Sequence, residues 1–182
     1  MVYAKRPDCP VQGWYEGEWS EGKFHGQGKE AYPDGRVYEG QFSQGQKQGS
    51  GKMIYQKKPG CRARGFYEGE WAKDKFNGFG KEGLPNGNIY EGYFKDGQRH
   101  GEGLMEYVKV PGSVADGKYQ GDWVEGKYNG RGKEKYKNGN VYEGQFKNDK
   151  RHGKGRMEYA LRAGAKFEGY YEGEWVNGET NG

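Results

Sequence analysis

The chain has 182 residues and a formal charge of +4, and 36 of its residues are glycine, about one in five against a usual share of ~7%. Leucine, isoleucine, valine and phenylalanine total only 22, which excludes a conventional aliphatic core, while the small net charge removes the usual reason for such a chain to stay disordered. Its apolar surface lies in rings, with 16 Tyr, 5 Trp and 8 Phe, and neither a run of about 18 apolar residues nor an apolar N-terminal stretch is present, so a cytoplasmic chain is expected.

Met1-Val2-Tyr3 falls in the column of Met53-Ile54-Tyr55, Met105-Glu106-Tyr107 and Met157-Glu158-Tyr159, so the chain starts on a second strand. YEGEW at 15–19 is the first complete motif. It returns as YEGQF (38–42), YEGEW (67–71), YEGYF (90–94), YQGDW (119–123), YEGQF (142–146) and YEGEW (171–175). The starts are spaced alternately by 23 and 29 residues, a period of 52 in which Trp-closed and Phe-closed units alternate. Within each motif Tyr, Gly and Trp or Phe point one way and the acidic or amide residues the other, the period-two pattern of a half-buried strand. A second strand such as GQGKEAY (26–32) follows a glycine turn, and Pro33-Asp34-Gly35, Asn86-Gly87 and Asn138-Gly139 separate successive hairpins. No stripe of helical period survives the glycine spacing. The expected fold is all-β: one meander of about 14 antiparallel strands over residues 1–182, with half a hairpin at each end. Gly17, Gly40, Gly69, Gly92, Gly121, Gly144 and Gly173 interrupt strands that glycine normally weakens. Their expected use is steric, each leaving a notch over which a neighbouring ring can lie, so that one layer buries aromatic area without a second.

The six additional residues of the long units lie in connections at 4–14, 56–66, 108–118 and 160–170, whose charges sum to +7 against −3 on the rest. Lys57, Lys58, Arg62 and Arg64 carry most of this basic edge, read either as a solvated loop or as a contact for anionic lipid, acidic protein tails or nucleic acid. Cys9 and Cys61 stand one period apart, roughly 19 Å across four strands, beyond disulfide reach. His25, His100 and His152 are read as turn residues. No metal, cofactor or catalytic set is expected: the repeated carboxylates share one environment, and an acid and base need different ones.

YEGEWSEGKFHGQGKEAYPDG (15–35) and YEGYFKDGQRHGEG (90–103) resemble the MORN repeat, with departures in the 29-residue units and at Gln48, Asn77 and Asn129, where a His would sit. The resemblance implies an elongated, twisted, single-layer antiparallel sheet with a curved groove. It also implies a setting among cytoskeletal, ciliary or junctional scaffolds, or a non-catalytic module attached to lipid kinases or lysine methyltransferases.

Surface chemistry is what remains to carry function. The expected groove is lined by the motif rings Tyr15, Trp19, Tyr38, Phe42, Tyr67, Trp71, Tyr90, Phe94, Tyr119, Trp123, Tyr142 and Phe146, with Met53, Tyr55, Met105, Tyr107 and Met157 from second strands. Glu30, Glu82 and Glu134 occupy the methionine column of the short units. Such a floor suits an amphipathic partner helix with apolar anchors beside Lys or Arg; in the other reading these side chains merely complete ring packing inside the sheet. The leading expectation is a non-catalytic scaffold that binds proteins in a cytoskeletal or ciliary assembly. The alternatives are phosphoinositide binding at a membrane surface through the basic edge, and the targeting module of a larger enzyme such as a lipid kinase. Nucleic acid is not expected, because rings that cover notches are not free to stack on bases. Open edge strands would let copies join head to tail or dimerise.

Overall fold

The structure, a computed structural model, describes residues 13–109, 111–112, 116–161 and 169–181. Its strands are β1 (Trp14–Ser20), β2 (Lys23–Ala31), β3 (Val37–Ser43), β4 (Gln46–Ile54), β5 (Phe66–Ala72), β6 (Lys75–Gly83), β7 (Ile89–Lys95), β8 (Gln98–Glu106), β9 (Lys118–Val124), β10 (Lys127–Lys135), β11 (Val141–Lys147), β12 (Lys150–Tyr159), β13 (Gly169–Val176) and β14 (Glu179–Asn181). They follow chain order in one open antiparallel sheet, and no helix occurs among the described residues. By contacts the chain divides into two compact units, residues 1–98 and 99–182. The expected strand at residues 1–3 and the Cys9 position lie outside the described residues. At the other end β13 is followed by the three-residue β14.

Each hairpin closes on a two-residue turn in which both residues have positive φ, as at Glu21 (50°) and Gly22 (71°) or Asn177 (52°) and Gly178 (98°). Such mirror-image turns match the right-handed twist of the strands they join. Beyond the turn the register slips. In β1 and β2, Trp19 opposes Phe24 and Gly17 opposes Gly28, so Glu18 alone faces three residues of β2. The same bulge recurs in β3–β4, β5–β6, β9–β10 and β11–β12. Its stranded backbone N–H is satisfied by the motif's own side chain: Glu18, Gln41, Glu70, Asp122 and Gln145 accept from the N–H of Gln27, Ser50, Phe79, Arg131 and Lys154 at 2.8–3.1 Å. In these five hairpins a Glu, Gln or Asp thus has a hydrogen-bonding role in the bulge. The histidines read as turn residues lie instead within β2, β8 and β12, each just before a glycine of positive φ.

The tyrosine of each motif lies along its own strand over the next glycine. Its hydroxyl donates to the carbonyl three residues on, at 2.8–3.1 Å in all seven motifs. The glycines form continuous rows across the sheet, Gly40–Gly51–Gly69–Gly80 in the first unit and Gly103–Gly121–Gly132–Gly144–Gly155–Gly173 in the second. Tyr38, Tyr67, Tyr90, Tyr119 and Tyr142 are wholly buried on these rows.

The two kinds of unit differ in what covers the tyrosine. In Trp-closed units Tyr15, Tyr67 and Tyr119 stack on Phe24, Phe76 and Tyr128 at 3.6–3.7 Å with near-parallel rings. In Phe-closed units a cation takes that place. Lys47 Nζ lies 5.5 Å from the Tyr38 ring and 5.9 Å from Trp71, and the Arg151 guanidinium lies 4.3 Å over Trp175. Trp71, Trp123 and Trp175 reach back to donate to the carbonyls of Gly51, Gly103 and Gly155 at 3.0–3.2 Å, which ties each Trp-closed unit to the long unit before it.

Candidate partner-binding site

The residues expected to line a groove occupy the ring face of the sheet, and most are closed off by their own neighbours. Tyr15, Tyr38, Phe42, Met53, Tyr67, Trp71, Tyr90, Phe94, Met105, Tyr119, Trp123, Tyr142, Phe146 and Met157 are all buried, between 0% and 4% exposed. Tyrosine lies down on glycine and the ring of the adjacent unit meets it edge-on, as in Tyr38–Trp71 (5.1 Å, 80°) and Tyr142–Trp175 (5.2 Å, 82°), which leaves no space above the notch. Trp19 is the exception at 42% exposed, while Tyr55 and Tyr107 are half-buried. Burial pushes the phenols of Tyr38, Tyr67 and Tyr119 well above the ordinary tyrosine range and that of Tyr142 up to about 12.

Glu30, Glu82 and Glu134 are half-buried at the margin of this face. The Tyr32 hydroxyl donates to Glu30, and Tyr136 hydrogen-bonds Glu134, whose carboxyl is raised by burial. Lys47 lies 4.0 Å from Glu30 and 3.2 Å from Asp74. Glu30 and Glu134 already serve as internal acceptors.

The open hollows lie on the opposite face, above the glycine rows. In the first unit one is bounded by Gln27, Glu39, Ser50, Lys52, Glu68, Phe79 and Lys81, with Gly40, Gly51, Gly69 and Gly80 in its floor and a volume of about 440 Å³. In the second unit one of about 550 Å³ is bounded by Gln120, Arg131, Lys133, Glu143, Gln145 and Lys154 over Gly132 and Gly144. A row of cross-strand ion pairs runs along one side: Lys29–Glu39, Lys52–Glu68, Lys81–Glu91, Lys133–Glu143 and Arg156–Glu172, at 2.7–3.6 Å. All are exposed, so each adds at most a few tenths of a kcal/mol and mainly fixes the chemistry of the wall.

The residue between the two glycines of each GxG forms the other side. Here the sequence varies: Gln27, Ser50, Phe79, Glu102, Arg131 and Lys154. Phe79 opposes Tyr93, and the two rings meet edge-on at 5.5 Å while staying 47% and 52% exposed. Every other motif has Glu, Gln or Asp in the column of Tyr93. Sequence reading aimed at the repeated residues passed over this pair; alignment of the units at their own period exposes it as a departure from a polar column.

Of the expected basic edge, the structure describes the connection between β4 and β5. Lys57, Lys58, Arg62 and Arg64 lie exposed in the connection between β4 and β5, and none joins an ion pair among the described residues. The connections at 4–14 and 160–170 fall largely outside the described residues. Cys61 is a free thiol, and among the described residues no three potential metal ligands gather. No described helix is long and apolar enough to cross a membrane.

Comparison with known proteins agrees with this geometry. The MORN repeat family model matches residues 15–35, 38–58, 67–89, 90–109, 119–141, 142–160 and 171–182. Similar proteins include Alsin of Rattus norvegicus and of Homo sapiens, each 33% identical over 162 residues, covering 88% of this chain and 9% of Alsin. The ALS2 C-terminal-like protein of Homo sapiens is 33% identical over 99 residues, covering 52% of this chain and 10% of that protein. The chain thus spans about a tenth of the length of these relatives. With a tyrosine–glycine lock repeated seven times and a family match over each repeat, the chain belongs to the MORN repeat family, whose arrays serve as binding modules.

Proposed function

We propose that the chain is a protein-binding scaffold that receives a partner segment on the glycine-floored face, with the ring face acting as the interior that holds the sheet. The observation that carries this reading is the exposed Phe79–Tyr93 pair beside a hollow bounded by Lys52, Lys81, Glu39 and Glu68. Two rigid rings in a column of polar residues provide an apolar anchor, the alternating charges provide register, and the bare backbone below admits close approach. A stable single-layer sheet can offer such a face along its strands without conformational change. Phospholipid recognition is a second reading, favoured by the four exposed cations at Lys57, Lys58, Arg62 and Arg64 that lack carboxylate partners among the described residues.

One experiment separates the two. Peptides selected from a random display library against the chain should lose at least about tenfold in affinity when Phe79→Ser and Tyr93→Ser are combined, an effect of the size expected for an anchor pair. Circular dichroism should stay unchanged. Replacing Lys57, Lys58, Arg62 and Arg64 with Glu should leave peptide affinity within about twofold. Undiminished binding to the ring-deleted variant refutes the face; binding lost only on charge reversal moves the site to the loop.

A further inference from the structure

The hollow of the second unit differs from that of the first in charge, and the difference arises from substitutions at repeat positions. The first x of YxGx is Glu in every motif except one, Gln120. The second x is Gln at 145, where four of the other motifs carry a carboxylate. The variable GxG positions beside them are Arg131 and Lys154. The walls therefore hold Arg131, Lys133 and Lys154 against the single carboxylate Glu143, which is already spent on Lys133 at 2.8 Å. In the first unit Lys52 and Lys81 are balanced by Glu39 and Glu68. Between β11 and β13, Lys154 and Arg156 face Glu143, Glu172 and Glu174.

Arg131 and Lys154 are exposed, and neither joins an ion pair among the described residues. The nearby Asp122 carboxylate accepts the Arg131 backbone N–H at 2.8 Å, and Gln145 Oε1 accepts that of Lys154 at 2.9 Å. With its oxygen so held, the Gln145 amide directs its N–H₂ away from that bond, and Gln120 contributes a second amide to the hollow's rim. Arg131 pairs directly with Gln145, and Lys154 lies on the strand beyond, so the strands that carry the two cations lie roughly two strand spacings, about 9.6 Å, apart.

We propose that this hollow is an acceptor for an acidic peptide segment, with one carboxylate on Arg131 and a second on Lys154. The inference rests on the glycine-floored face being the binding face and names the chemistry of its partner in this unit. The spacing selects the conformation. In a polyproline-II segment, residues three apart lie on one side and are about 9.3 Å apart, which matches the spacing of the two strands that carry the cations. A bilayer fits less well, because the charges border a glycine-floored depression rather than a protruding loop.

The test uses fluorescence anisotropy with the whole chain and three labelled peptides of sequence (EPP)4, (QPP)4 and (KPP)4. The acidic peptide should bind, weakening steeply as salt is raised, while the neutral and basic peptides should not. Combined Arg131→Glu and Lys154→Glu should lower its affinity at least about tenfold, the expected size for two reversed contacts, with unchanged circular dichroism. Lys23→Glu with Lys95→Glu, exposed cations that border neither hollow, should leave affinity within about twofold. In the unaltered chain, the amide resonances of Gly132 and Gly144 should shift on titration. Equal affinity of the Arg131/Lys154 variant, or shifts confined to other glycines, overturns the proposal. So does sedimentation with phosphatidylserine vesicles that depends on these two cations when (EPP)4 does not bind. If (EPP)4 fails while library peptides still depend on Phe79 and Tyr93, the acidic acceptor falls and the binding face stands.

Discussion

Gly69→Ala should destabilise the chain by about 3 kcal/mol or more, at the upper end of what overpacking costs. A methyl at residue 69 would stand 2.5 Å from the Gly80 Cα and 2.6 Å from the Phe79 carbonyl oxygen. Both obstacles are backbone, so neither can rotate aside. The alternative is for β5 and β6 to part, which would break the register Gly69↔Gly80 and lift Tyr67 from its seat. A useful contrast is Gly126→Ala, where nothing lies within 4 Å and only the positive φ of 80° is strained; its cost should be about 1 kcal/mol. Urea denaturation of the two variants measures the difference. Equal midpoints would show that the glycine rows are not held by close packing.

Alkaline titration should unfold the protein in a single cooperative step. The phenols of Tyr38, Tyr67 and Tyr119 are held above the ordinary tyrosine range by burial, and that of Tyr142 is pushed up to about 12. An unfolded chain releases the same protons near pH ~10. Above that value the unfolded state binds fewer protons than the native one, so stability is intact below about pH 10 and declines as pH rises toward the folded values. Each such phenol can remove up to about 1.4 kcal/mol per pH unit within the window. The phenolate absorbance of these buried tyrosines, over and above that of exposed ones such as Tyr93, should therefore rise together with the loss of circular dichroism between about pH 10 and 12. Ionisation of all 16 tyrosines near pH 10 with an unaltered circular dichroism spectrum would mean that these hydroxyls are open to water.

The strands, turns and sheet order were legible because one motif fixes several things at once. In Tyr67-Glu68-Gly69-Glu70-Trp71 the alternation gives the strand, Gly69 gives the seat for Tyr67, and recurrence gives the neighbour. The interlock of ring and notch follows from excluded volume and needs no coordinates. What could not be read was how completely the lock closes. Tyr38 has the composition of a groove residue, and its full burial depends on Lys47 and Trp71, which approach from other strands. Glu70 looks like a solvated carboxylate, yet the bulge opposite gives it the Phe79 N–H to bind. The proposed binding face was obscured for another reason. Its distinctive members, Phe79, Tyr93, Arg131 and Lys154, are the positions that do not repeat, and a search for recurrence weights them least.

Hydroxyl-radical footprinting of the free chain tests the assignment of the two faces most directly, because methionine and aromatic side chains report on both in one spectrum. Met53, Met105, Met157 and the six buried motif tyrosines from Tyr15 to Tyr142 should resist modification until the chain unfolds, while Phe79, Tyr93 and Tyr170, the last 63% exposed, should react at rates close to those of exposed residues. Fast modification of the three methionines in the native chain, with Phe79 and Tyr93 protected, would place the open surface over the rings and contradict that assignment.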